Sequence, residues 1–522
     1  MRPFPLIAML ALAAPAAAAP PKGFDARVEA VRRAAGVPGM AIAIVEDGRT
    51  VLAKGYGVRR LGAPEPVDAD TIFLIGSTTK AFTSAALATL VDAGRLSWDD
   101  RVVDRLPGFQ MWDPYVTREM TVRDLLVHRS GLGLGAGDLL YIPRGSLARA
   151  EVVRRLRWLK PAASFRDRYA YDNILYIVAG QLIETVSGQP WEDYVRAHVL
   201  APAGMTHSTT DEAHRLADSD RAQPHARFGG PVRGTGDQRL LDEHDQLAPA
   251  SAPAGLLATS ANDMAKWLML QLAHGALPDG GRLFSDASSK EMWTPATPMP
   301  ISDPPTAIAG TKPSFLAYAL GWEVQDYHGT KILWHAGGLF GFTSIVVLIP
   351  DRKVAFAIEV NSEDVQPRFG LMYELLDHYL GLPKQDWPTR FAAYRRDRIA
   401  EAEAVVGHAA TAPAKVGPSL PVAAYAGTYA DPWYGRMTVT SDSAGLGVDL
   451  VTTPGARGRL EHYQYDTFVA RFDDKSIEPA YVTFGLGADG RVERVTMKPV
   501  SPIADFSFDY GDLLFAPVAA KQ

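Results

Sequence analysis

Cysteine is absent from all 522 residues. Disulfides, thiolate nucleophiles and cysteine-ligated metals are therefore excluded. An exported protein can dispense with disulfides when its core is large, so this absence leaves the compartment open. Strong charge of one sign is also missing: the net charge is −6, and no basic stripe is interleaved with aromatics. Nucleic acid and acidic membrane surfaces are accordingly not expected as partners. Long uncharged apolar runs are lacking too. The N-terminal stretch Leu6 to Leu12 falls short of the roughly 20 residues of a membrane span, so none is expected. No internal repeat is found.

What is present is a chain with 47% hydrophobic and 21% charged residues, the balance of a soluble globular protein, and long enough for more than one domain. Arg2, the apolar stretch after it and the small residues Ala16-Ala17-Ala18 read as a signal peptide over residues 1–18. This predicts a periplasmic or secreted protein. A helix is expected over Phe24 to Ala35, then a hairpin from Met40 to Tyr56 around the Asp47-Gly48 turn. Its first strand reads as half-buried from the alternation of Ile42 and Ile44. A helix from Ser77 to Ala93 is apolar around most of its circumference and is expected inside the molecule. Further helices follow to His274. Strands return at Tyr318 to Gln325, Lys331 to His335, Thr343 to Ile349 and Val354 to Val360, and a helix from Phe369 to Leu380 closes this part. The order predicts an α+β fold: an antiparallel sheet built from both ends of residues 24–380, flanked by helices, with a helical subdomain between. Residues 381–421 read as a connector, helical over Trp387 to Ala404 and a linker over Ala409 to Pro421. Period-two patterning over residues 422–518 predicts a small all-β barrel or sandwich.

Three short elements stand out, each unique in the chain. Ser77-Thr78-Thr79-Lys80 puts a hydroxyl and an amine one helical turn apart, at a helix N-terminus whose free N–H groups favour a developing oxyanion. A serine needs a neighbouring base, and a lysine serves if burial lowers its pKa. Tyr171-Asp172-Asn173 offers a phenol to relay a proton and an amide to hold a substrate. His335-Ala336-Gly337-Gly338 ends a strand with glycines that let a substrate backbone approach, and a backbone N–H there can complete an oxyanion hole. Alone, each reads equally as an N-cap, a packing tyrosine or a plain turn. His128 reads as a structural hydrogen-bonder. His207, His214, His225 and His244 lack tight ligand spacing, so no metal or other cofactor is expected.

Taken in order, Ser77/Lys80, Tyr171/Asn173 and His335/Gly337 resemble the three signature elements of the serine β-lactamase and penicillin-binding-protein superfamily, with the spacing of its class C β-lactamase-like branch. Supporting segments resemble it too, among them Leu90 to Leu96 and Thr121 to Leu132. The resemblance implies an acyl-enzyme on Ser77, with Lys80 as base and Tyr171 as proton shuttle. It implies that His335 belongs to the catalytic set, that Asn173 holds a substrate amide, and that Gly337 and Gly338 line the substrate, Gly338 sharing the oxyanion hole with Ser77. Many members carry Lys-Thr-Gly at the third element. Here His335 and Ala336 stand instead, closer to the D-aminopeptidase and esterase members, some of which also carry a C-terminal barrel. The expected activity is hydrolysis of amide bonds in small linear peptides, including D- or unusual residues as in linearised cyanobacterial peptide toxins. Carboxylesterase or weak β-lactamase activity, a penicillin-binding sensor that acylates without turnover, and a ligand-binding C-terminal domain are the alternatives. The sequence does not fix the oligomeric state.

Overall fold

The computed structural model describes residues 20–244, 246–411 and 416–518, so the expected signal peptide lies outside the described residues. Eight strands form the main sheet: β1 (Gly39–Glu46), β2 (Arg49–Gly57), β3 (Thr297–Pro298), β4 (Leu316–Tyr318), β5 (Glu323–Tyr327), β6 (Thr330–Leu339), β7 (Phe342–Ile349) and β8 (Val354–Val360). Their spatial order is β2-β1-β8-β7-β6-β5-β4-β3, every pair antiparallel. The first and last segments of this body thus meet in one sheet, with the helical region inserted between them, as expected for the α+β class.

The first strand corrects one expectation. β1 is buried along its whole length, not on one face only. It lies between β2 and β8, and both faces are covered. Met40, Ile42 and Ile44 join an apolar cluster with helices α1 (Phe24–Ala35) and α5 (Gln366–Leu380), while Ala41, Ala43 and Val45 join the cluster on the other face. The turn to β2 uses Asp47 and Gly48, both at positive φ, the two left-handed positions a tight hairpin turn needs.

Other element boundaries also differ. The expected helix from Ser77 begins instead as a 3₁₀ turn, Gly76–Thr78, which feeds α2 (Thr79–Asp92). The expected strand Tyr318 to Gln325 is broken into β4 and β5 by Gly321 at φ +83°. A Cβ on Gly321 would lie 3.0 Å from the backbone of Lys80 and Ala81, so this turn packs directly on the first turn of α2. Between them in sequence, α3 (Ile174–Ser187) and α4 (Ala261–Leu272) pack in the inserted region and against the sheet, respectively. After α5, helix α6 (Trp387–Thr411) runs past the point where the Ala- and Pro-rich linker was expected to begin.

Eight further strands between Gly427 and Pro517 close into an antiparallel barrel. Tyr425, Tyr429, Met437, Phe468, Phe484 and Met497 are buried in its core, so the barrel is packed with side chains. It docks on the inserted helical region. Arg155 Nη1 donates to the carbonyls of Trp433 (3.1 Å) and Tyr434 (2.6 Å), and Thr453 Oγ1 donates to that of Leu139 (3.2 Å).

Candidate active site

The site is built where the turn before α2 meets the edge of the sheet. Gly76 adopts φ +54°, a backbone region that favours glycine. A Cβ there would sit 2.6 Å from the amide nitrogen of Gly338. A Cβ on Gly337 would sit 1.9 Å from the carbonyl oxygen of Ile75 and 2.4 Å from Ser344 Oγ. Two glycines, far apart in sequence, thus let the Ser77 turn lie directly against β6. Ser344 Oγ pins the contact by donating to Ile75 O at 2.6 Å. Gly338 differs: a Cβ on it would meet nothing within 4 Å, so it faces open space.

Lys80 is fully buried. Its Nζ donates to Ser77 Oγ (2.9 Å), Asn173 Oδ1 (2.7 Å) and Ala254 O (3.0 Å), and lies 4.8 Å from the ring centroid of Tyr171. Burial pushes its pKa down to about 7, although the carboxylates of Asp138 and Asp172 pull the other way. The lysine is therefore poised to carry or release a proton near neutrality. Burial holds the Tyr171 phenol well above its ordinary pKa, and its hydrogen bond with Ser77 opposes this only in part. Tyr171 thus holds its proton more tightly than Lys80 does. Tyr171 precedes α3, and its ring lies tilted against His128 at 4.2 Å between centroids. His128 is fully buried, and its Nδ1 accepts the Asp172 N–H at 3.2 Å, in line with the structural part expected of it.

Asn173 does not stand free. Its Oδ1 is taken by Lys80, and its Nδ2 donates to Asp138 Oδ2 at 2.9 Å. One Nδ2 hydrogen is left for a substrate. His335, on β6, makes no hydrogen bond with Ser77. Its Nδ1 lies 2.7 Å from Ala336 O and its Nε2 lies 2.8 Å from the Tyr318 hydroxyl. Since a carbonyl only accepts, Nδ1 carries the proton and Nε2 accepts from Tyr318. Burial, with Lys80 nearby, pushes its pKa down to about 3, so the ring is neutral and brings no cation to the cleft.

Ser77, Tyr171, Asn173, His335, Gly337 and Gly338 line one cleft of about 660 Å³. Lys80 lies beneath its floor. The cleft is closed on one side by a loop of the barrel that includes Ile503 to Phe508. Phe506 stands edge-on to Tyr171 at 5.7 Å, and Ser507 Oγ donates to Asp138 Oδ2 at 2.7 Å. A second groove, of about 820 Å³, runs between the hairpin at His225–Leu240 and the barrel; it shares Arg227, Arg233, Phe340 and Glu478 with the first. It holds none of the candidate residues, which all line the smaller cleft or its floor. The cations on the cleft wall are committed: Arg227 and Arg395 to Asp364, Arg233 to Glu363, and Arg368 to the carbonyls of Gly337 and Ser344.

Sequence reasoning missed Gly76, Asp138, Tyr318 and the barrel loop. Gly76 had a local signal, a glycine directly before the nucleophile candidate. Ser507 had none, and Asp138 only the nearby Tyr141 hydroxyl, because the partners that tie both to the site are remote in sequence.

Comparison with known proteins matches residues 24–380 to the family model "Beta-lactamase" and residues 411–517 to a domain of unknown function, DUF3471. Unguisins hydrolase ungD of Aspergillus violaceofuscus is 31% identical over 78% of this chain and 74% of its own length. Penicillin-binding protein 4 of Amycolatopsis lactamdurans is 30% identical over 68% of this chain and 89% of its own. Among solved structures, the octameric penicillin-binding protein homologue from Pyrococcus abyssi superposes with a TM-score of 0.57 at 23% identity, covering 91% of this chain and 97% of that one, a likeness of fold.

Proposed function

The chain belongs to the β-lactamase family and is a serine hydrolase of that superfamily; we propose that it cleaves amide bonds of small linear peptides, including D- or unusual residues, through an acyl-enzyme on Ser77. The observation that carries this reading is the contact of Ser77 Oγ with a buried lysine amine at 2.9 Å, with burial holding that lysine's pKa at about 7.

In the first step Ser77 Oγ bonds to the scissile carbonyl carbon and its proton passes to Lys80. The oxyanion forms against the N–H groups of Ser77 and Gly338. When the C–N bond breaks, the leaving amine takes a proton from Lys80 by way of the Tyr171 hydroxyl. Water then adds to the acyl ester, giving up its proton to the same pair; the bond between Ser77 Oγ and the acyl carbon breaks, Oγ takes that proton back, and the acid leaves. Asn173 orients the substrate with its remaining N–H.

Three features support a peptide over a lactam. Neutral His335 and Ala336 offer neither charge nor hydroxyl to the carboxylate of a β-lactam. A second groove shares wall residues with the cleft, which gives a longer chain room. A relative of this chain carries the name unguisins hydrolase. The spacing of the three elements supports the class C-like branch. The N-terminal Arg2 and apolar stretch support export to the periplasm. A panel of L- and D-aminoacyl amides, linear peptides, short p-nitrophenyl esters and nitrocefin, with Ser77→Ala as blank, tests the proposal. Amide turnover that vanishes in the blank is expected. Equal rates in the blank remove Ser77 as nucleophile, and nitrocefin turnover above that of every amide reassigns the enzyme to lactams.

A further inference from the structure

An amide side chain is nearly symmetrical in shape, so something must decide which end of Asn173 faces Lys80. The neighbour on its other side is Asp138, fully buried. This carboxylate meets three donors: the Tyr141 hydroxyl, Asn173 Nδ2 at 2.9 Å and Ser507 Oγ at 2.7 Å. When Asp138 is ionised it only accepts, so the Asn173 nitrogen then turns toward Asp138 and its oxygen toward the lysine. Ser507 stands on the barrel, 369 residues along the chain from Asp138. The chain of contacts Ser507–Asp138–Asn173–Lys80–Ser77 is unbroken, each link 2.9 Å or shorter.

We propose that Asp138 is a positioning residue that sets the orientation of Asn173 and thereby of Lys80, and that the barrel completes it through the Ser507 hydroxyl, so that the C-terminal body is part of the catalytic machinery. The proposal rests on the reading of Ser77 as nucleophile and Lys80 as its base. Asp138 touches neither substrate nor reacting atoms. It acts through the amide, and its charge acts on Lys80 as well. The other groups facing Lys80 are Asp172, whose carboxylate also favours the ammonium, the rings of Tyr171 and Tyr176, and neutral His335. Burial raises Asp138 itself to about 7 against its three donors, and the nearby Asp505 adds to the rise.

The full-length protein is tested by its rate of labelling with a fluorophosphonate, which bonds to an activated serine with loss of fluoride, and by steady-state hydrolysis of p-nitrophenyl acetate. Ser507→Ala is expected to slow labelling and to lower kcat about tenfold, the loss of one hydrogen bond to a charged group, with KM within about twofold; Ser507→Thr restores both. Asp138→Asn, which lets Asn173 turn over, is expected to lower kcat up to about 10²-fold and to move the acid limb of the rate–pH profile to lower pH, because a negative charge has left the neighbourhood of Lys80. Ser507→Ala with wild-type labelling and kcat, or with a change in KM alone, overturns the proposal. Ser77→Ala separates the two readings. If that variant is still labelled, the nucleophile assignment has failed. If it is inert while Ser507→Ala behaves as wild type, only the positioning role has.

Discussion

Gly76→Ala is the sharpest single test of how this site is built. The new methyl group would sit 2.6 Å from the Gly338 nitrogen and 3.0 Å from both the Gly337 carbonyl carbon and the Gly338 oxygen. All three are backbone atoms of β6 where it is paired with β7, so no side chain can swing away. The residue would also have to hold φ +54°, which costs an L-residue about 1–2 kcal/mol. Overpacking of a tight contact adds about 1–3 kcal/mol, for a combined loss of roughly 2–5 kcal/mol. A body spanning residues 24–380 gains about 2.1 cal/mol/K of entropy per residue on unfolding, so the melting temperature should fall by roughly 3–7 °C. Relief requires the Ser77 turn and β6 to part by several tenths of an ångström, which separates the two N–H groups proposed to hold the oxyanion. A misplacement of that order costs up to about 10²-fold in rate. Calorimetry and p-nitrophenyl acetate kinetics read the two effects. Gly338→Ala is the control, since its methyl meets nothing within 4 Å and should leave the melting temperature unchanged. Wild-type melting and rate for Gly76→Ala would refute the close-approach argument.

Further outcomes follow from the same geometry. The rate of Ser77 labelling should rise with pH through about 7, because burial lowers Lys80 to that value and only its neutral form accepts the serine proton; Lys80→Met should abolish labelling at every pH, as measured by mass spectrometry. Burial alone would raise the pKa of Asp124, but Arg166 and Thr121 hold it below its ordinary value, and its carboxylate also accepts from Arg129. Asp124→Ala should therefore cost about 3–5 kcal/mol at pH 7. That stabilisation is present above the unfolded carboxylate pKa and is lost as the pH falls through the lower folded value, so the gap between variant and wild type in urea titrations should narrow below about pH 4. Tyr318→Phe should leave His335 Nε2 buried without a donor and cost about 1–3 kcal/mol in the same titrations.

The parts legible in the sequence are those where chemistry and spacing are local. Ser77 and Lys80 sit one turn apart, so their contact follows from helix geometry. Tyr171 and His335 were reachable only through the ordered set of motifs, since no local rule brings a loop and a strand from different regions to one serine. The two-sided burial of β1 had a readable sign that the alternation of Ile42 and Ile44 obscured: no residue from Gly39 to Val45 is polar, the pattern of a strand covered on both faces. The start of α2 was misplaced because Gly76 at positive φ bends the chain into a 3₁₀ turn before the α-helical bonds begin. Asp138 was invisible because only Tyr141 among its donors lies near it in sequence. Its donors come from positions 141, 173 and 507.

The barrel shows why a domain pattern read correctly can still leave its use open. A closed barrel invites the idea of a ligand held inside, yet Tyr425, Tyr429, Phe468 and Phe484 pack there edge to face at 5.0–6.0 Å, and opening such a core would forfeit several aromatic contacts of about 0.5–1.5 kcal/mol each. The outside of the barrel must then carry its contribution, and the loop through Phe506 and Ser507 is the part that enters the cleft. Phe506 covers one edge of Tyr171, and a Cβ on Gly135 would lie 2.7 Å from the Phe506 carbonyl oxygen, so this loop is fitted against the inserted region rather than draped over it. Replacing residues 503–508 by a Gly/Ser segment of equal length should therefore leave the barrel folded, by its own circular dichroism and melting, while raising KM for peptides and lowering kcat together. A variant that keeps wild-type kcat and KM would show that the barrel stands beside the hydrolase without serving it.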